Sequence, residues 1–164
     1  MKANYAPRPR HRGFTLVELI VAMVILSILA AIAIPSYSQY VLKSHRTEAK
    51  AALMDAASLE ERFFSTTNLY TNNPIQLGYG VAATPVPVGT GYYIISILNA
   101  NPPVPPTAGV PGGTPATFTI TAVPAPGSMQ VNDTACASFS IDSTGKQIAL
   151  NSGGIDNTAN CWQN

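Results

Sequence analysis

An apolar run from Phe14 to Ile34, closed by Pro35, constrains this chain more than any other feature. Within it only Thr15, Glu18 and Ser27 are polar. The run is long enough to span a bilayer as a helix. Yet Glu18 places a carboxylate near its start, where burial in hydrocarbon is costly. A plain membrane anchor has no use for that charge. A segment that leaves the membrane and packs against copies of itself does.

The residues ahead of the run carry Lys2, Arg8, Arg10 and Arg12 and no acid. Such a cluster holds residues 1–13 on the cytoplasmic side. An ordinary secretory signal is cut after its apolar region, beside small residues. Ala31-Ile32-Ala33 nominally fits that pattern. The other candidate scissile bond is Gly13–Phe14, ahead of the run. Cutting there removes the basic leader and keeps the hydrophobic helix.

Gly13-Phe14-Thr15-Leu16-Val17-Glu18-Leu19, followed by Ala30-Ala31-Ile32-Ala33-Ile34-Pro35, resembles the N-terminal signature of the type IV pilin family. The resemblance implies cleavage after Gly13 by a prepilin peptidase and N-methylation of the new terminus, Phe14. It also implies inner-membrane insertion as a single-pass subunit. Transfer by the pilus assembly machinery into an extracellular filament of pilin subunits follows. Residues 40–70 are similar to a subgroup made up mostly of minor pilins. Ser27 stands where many members of the family carry glycine.

Glu18 has two readings. In the family it meets the Phe14 amine of a neighbouring subunit and sets axial register. The amine is positive near neutral pH, and paired charges partly cancel each other's desolvation cost. Alternatively Glu18 is a polar residue near the membrane interface that snorkels to water.

Past Pro35 an amphipathic helix is expected over residues 36–64, with a kink at Pro35 because proline removes a backbone donor. Its apolar stripe reads Tyr37, Tyr40, Val41, Ala49, Ala52, Leu53, Ala56, Leu59 and Phe63. Residues 65–91 are rich in Gly, Pro and Asn and read as a connecting loop, either a contact surface or merely variable. Strands are expected at Tyr92–Leu98, Ala116–Val123, Cys136–Asp142 and Lys146–Leu150. Asn99 to Pro115 contains six prolines and reads as an extended excursion outside the sheet. The fold class is therefore α+β: a long kinked helix on a four-stranded antiparallel sheet, with residues 65–164 as a head.

Cys136 and Cys161 are the only cysteines. An exported domain meets an oxidising compartment, so they are expected to pair. The resemblance places this bridge at the disulfide-bounded C-terminal region of type IVa pilins. The chain-entropy model assigns such a closure about 3–4 kcal/mol. Residues 151–154 and 156–158 have no propensity for regular structure, which makes a staple physically useful. No metal site or cofactor is expected, because two cysteines without a nearby histidine do not complete a zinc site.

Charge decides between classes of function. Beyond Ser65 the only Lys or Arg is Lys146, against Asp133, Asp142 and Asp156. A DNA-binding surface needs cations to displace counterions from phosphate. Direct DNA binding by the head is thus disfavoured, although some minor pilins are DNA receptors. Lys43, Arg46, Lys50 and Arg62 on the helix read as a solvated or inter-subunit face. The head has no histidine, since His11 and His45 precede it, and no catalytic constellation. The chain reads as a non-enzymatic minor pilin supporting motility, adhesion or DNA uptake. A major pilin and a type II secretion pseudopilin are the alternatives.

Overall fold

The computed structural model describes residues 13–81, 84–101 and 116–163. The leader before Gly13 and most of the proline-rich excursion lie outside the described residues. The chain divides into two compact units, one ending at Gln39 and the other beginning at Tyr40.

In the first unit, helix α1 (Leu16–Thr67) begins and carries the apolar run. Its large apolar side chains, from Leu16 to Ile34, are all exposed. By length and composition the helix can cross a membrane, and the apolar stretch suited to that is Phe14–Ile34. The helix passes through Pro35 without ending. Proline cannot donate to the carbonyl one turn back. Beside it the Ser38 hydroxyl donates to Ile34 O at 3.2 Å.

The second unit packs the later part of α1 on an antiparallel sheet. Its strands are β1 (Val86–Val88), β2 (Tyr93–Asn101), β3 (Thr117–Pro124), β4 (Ser138–Asp142) and β5 (Gln147–Leu150), in spatial order β1-β2-β3-β4-β5. Consecutive strands pair throughout, as a meander requires. Alternation puts Phe118, Ile120 and Ala122 on the buried face of β3, the first two as the sequence predicts. They meet Tyr93, Ile95 and Ile97 of β2 and Phe139 of β4. Ala49, Leu53 and Ala56 of α1 close the same core.

The sheet has five strands, not the expected four. The extra strand, β1, lies in the stretch expected to be loop. It is only three residues long and has Pro87 at its centre. Local propensity therefore gives no signal for it. Its position at the sheet edge is one where proline is tolerated. A second correction concerns Asn99–Asn101, expected to leave the sheet. These residues extend β2, with Asn101 opposite Thr117 across a register irregularity. The first proline of that excursion comes at Pro102, so nothing before it prevents pairing.

A third correction lies in the C-terminal loop. Thr158–Trp162 forms a short helix, α2, whose first residue lies in the 156–158 stretch expected to lack regular structure. Asp156 prepares its start, because Oδ1 accepts from Thr158 N at 2.8 Å and from the Thr158 hydroxyl at 2.6 Å. The returning segment covers the outer edge of β5. Asn157 N donates to Ala149 O at 2.8 Å, and the Trp162 indole donates to Ile148 O at 3.0 Å. Cys136 and Cys161 are joined, with Cα atoms 5.8 Å apart.

Candidate functional site

Gly13, Phe14 and Glu18 lie together at the start of α1. Thr15 Oγ1 accepts the backbone N–H of Glu18 at 3.2 Å, so Thr15 caps one of the helix's unpaired donors. Thr15-Leu16-Val17-Glu18 has the spacing of a capping box. Gly13, Phe14, Thr15 and Glu18 line one shallow recess. Phe14 is 85% exposed. A Cβ built on Gly13 meets nothing within 4 Å. The folded chain itself therefore places no steric demand for glycine there.

The cationic helix face expected from the sequence is not one face. Lys43 and Arg62 are exposed, but Arg46 is buried. Its Nε donates to Asp133 Oδ2 at 2.7 Å and its Nη2 to Asp133 Oδ1 at 2.9 Å. This is a bidentate pair, the strongest geometry for Arg with a carboxylate. Asp133 also accepts from Gln130 Nε2 and from Cys136 N. Lys50 is half-buried, and its ammonium donates to Trp162 O at 3.1 Å. Arg46 and Lys50 thus tie the helix to the segments around the disulfide. Neither presents a free charge for a polyanion.

Sequence reasoning also missed Glu60. The buried side of α1 runs Leu42, Arg46, Ala49, Leu53, Ala56 and Glu60, alternating steps of four and three. Arg46 and Glu60 are in phase with the apolar stripe. That phase was the available signal, but a pattern read from apolar residues alone passes over it. Conversely Tyr40, expected on the stripe, is exposed. Tyr70 and Tyr79 pack against the core. Among the described residues no group of three His, Cys, Asp or Glu side chains is placed to hold a metal.

Comparison with known proteins supplies the family. A model of the prokaryotic N-terminal methylation motif matches residues 8–34. A model described as "Type IV minor pilin ComP, DNA uptake sequence receptor" matches residues 35–140. The chain belongs to the type IV pilin family. This pilin is 39% identical to the type IV major pilin protein PilA of Myxococcus xanthus over 71 residues, covering 43% of the chain and 32% of PilA. It is 36% identical over 78 residues to the wide-pilus major component PilA4 of Thermus thermophilus, covering 47% and 60%. The chain thus spans less than two thirds of either relative. A solved type IV pilin from Shewanella oneidensis is 24% identical, covering 65% of this chain and 89% of that one at a TM-score of 0.39. Type IV pilins are structural subunits of a filament, and the apolar helix with its methylation motif fits a membrane-anchored form that is later assembled.

Proposed function

We propose that this pilin is a minor subunit of a type IV pilus. It is inserted in the inner membrane through Phe14–Ile34, cut after Gly13 by a prepilin peptidase and N-methylated on Phe14. The assembly machinery then moves it into the extracellular fibre. There Glu18 pairs with the Phe14 amine of a neighbour, and Pro35 bends the helix to fit. The observation that carries this reading is an exposed Gly13–Phe14 junction, inside a matched methylation motif, leading into a helix whose large apolar side chains from Leu16 to Ile34 are exposed. Those side chains require lipid first and other subunits afterwards.

Intact mass of the protein from sheared fibres and from membranes of the same cells tests the proposal. A mass beginning at methylated Phe14, present in fibres at low abundance, is expected. High abundance there makes it the major subunit. A processed form confined to the membrane makes it a pseudopilin. An uncut leader refutes the processing step.

DNA reception is a second reading, and the match over residues 35–140 favours it. The charge distribution supports the structural role instead. Beyond Ser65 the chain has Lys146 alone, and Arg46 is committed to Asp133. Duplex binding by the mature full chain at physiological salt is expected to be weak. Tight binding with a steep salt dependence would turn the assignment to a receptor.

A further inference from the structure

Glu60 is 0% exposed, and no cation among the described residues forms an ion pair with it. The ion pairs among the described residues, Arg46–Asp133 and His45–Glu48, do not involve it. Its Oε2 accepts the backbone N–H of Thr71 at 3.1 Å. Its Oε1 is buried without a hydrogen-bond partner, and so is the Tyr79 hydroxyl. Thr71 and Tyr79 are the two ends of one turn-rich segment in the connection from α1 to the sheet. That segment is knotted upon itself. The Thr71 hydroxyl bonds Gln76 Oε1 and accepts from Asn73 N, while Leu77 N and Tyr79 N donate to Pro74 O. Pro74 and Leu77 anchor it in the core. Glu60 is thus the point at which a self-contained segment is fastened to the helix.

The groups around Glu60 oppose its charge. On α1, Glu61 lies beside it and accepts from the Tyr70 hydroxyl at 2.9 Å. Asp55 acts on Tyr79 from the same helix. Arg62 is exposed and lines a recess with Gln76 and Phe63. From the connection come Tyr70 and Tyr79, both phenols pushed up to about 12 by burial and by neighbouring carboxylates, Glu60 among them. From the sheet, the ring of Phe118 stands edge-on to Tyr70. An unpaired carboxylate in such a place is costly, whereas the neutral acid is not.

We propose that Glu60 is a proton-operated latch on the connection: as a neutral acid it seats Thr71–Tyr79 against α1, and as a carboxylate it lets that segment lift away. The direction of titration agrees. Burial pushes the Glu60 carboxyl up to about 7, against the Thr71 N–H, and Glu61 adds to the rise. In the lifted state the carboxyl returns to its ordinary value near 4.5. Lifting is therefore rare in acid and grows as pH rises through neutrality. Tyr79 also lines an open groove with Asp55 and Ala52. Lifting at that end exposes the latch to water.

Hydrogen exchange of the mature full chain in detergent, corrected for the intrinsic pH dependence of exchange, tests this. Protection of amides from Thr71 to Tyr79 is expected to fall by about thirtyfold between roughly pH 5.5 and 8.5, the ratio set by carboxyl values of 4.5 and about 7. Amides of β3 and β4 are expected to hold steady, and Glu60→Gln to abolish the slope. Flat protection in the wild type overturns the latch. So does an unchanged slope in Glu60→Gln. Should Glu60→Gln fail to fold, the carboxyl carbon of Glu60 in the wild type decides by NMR. A midpoint near neutrality supports the latch, and one in the ordinary carboxylate range removes it.

Discussion

Glu48 and Glu60 sit on the same helix and perform the same local task in opposite states. Each accepts the backbone N–H of a threonine in a loop, Thr90 for Glu48 and Thr71 for Glu60, both at 3.1 Å. Burial opposes ionisation at both. At Glu48 it loses, because the Thr90 N–H, the Thr90 hydroxyl and His45 together hold the carboxyl below its usual range. At Glu60 it wins, because one N–H is the only donor and Glu61 repels. Asp133 is buried as well, and there Arg46 supplies the countercharge. The charge state of an acid on this scaffold is thus set by how many donors reach it and by water, not by its place along the helix.

The largest expected effect comes from removing the cation at the Asp133 site. Arg46→Met leaves Asp133 buried without its partner, which costs about 3–5 kcal/mol. Arg46→Met with Asp133→Leu is expected to recover most of that, because neither charge then remains to be desolvated. Denaturant unfolding followed by the fluorescence of Trp162, the only tryptophan, measures both. A double variant as unstable as the single one would mean that the pair holds the fold by geometry rather than charge. The Cys136→Ser, Cys161→Ser variant comes next. It is expected to lose about 3–4 kcal/mol and to loosen the Asp133 site, since Cys136 N donates to Asp133 Oδ1 at 3.3 Å.

The third effect is a pH slope. The Glu60 carboxyl is raised in the folded chain, so the folded state holds a proton that the unfolded state releases. Its stabilising contribution is complete below about pH 4.5 and is lost as pH rises to about 7. The loss is up to about 3 kcal/mol, from 1.36 kcal/mol per pKa unit. Glu48 carries the opposite sign. Its contribution is present above the ordinary carboxylate value and lost in more acidic solution. Stability is accordingly expected to peak in mildly acid solution. In Glu60→Gln the descent toward neutral pH disappears while the acid limb remains.

Legibility in the sequence follows the range of the interactions. The Gly13–Phe14 junction, the apolar run and the strands at Tyr93, Thr117 and Ser138 rest on neighbouring residues, and a reader sees neighbours. β1 rests on pairing with β2, because Val86-Pro87-Val88 has no strand signal of its own. Arg46 resembles any solvated arginine until Asp133, far along the chain, arrives to meet it. Glu60 likewise looks like a surface acid between Leu59 and Glu61. Only the fold shows that the stripe turning through Ala49, Leu53 and Ala56 carries it inward.

The smallest effect tests whether the two clamps differ by environment alone. Glu48→Gln removes a charge that is partly in contact with water, so the loss is expected to stay below about 1 kcal/mol. The amide oxygen of Gln still accepts the Thr90 N–H. Gly89, with a φ of 56°, sits in the turn above it, where a Cβ would come within 2.6 Å of Glu48 Oε2. Gly91 N donating to Val88 O at 3.0 Å closes the same turn. In Glu48→Gln the acid limb of the pH profile is expected to flatten while the limb toward neutral pH persists. A Glu48→Gln profile that instead loses its neutral limb would show that the two sites titrate as one unit. The proton-sensitive step would then belong to the whole helix face rather than to Glu60.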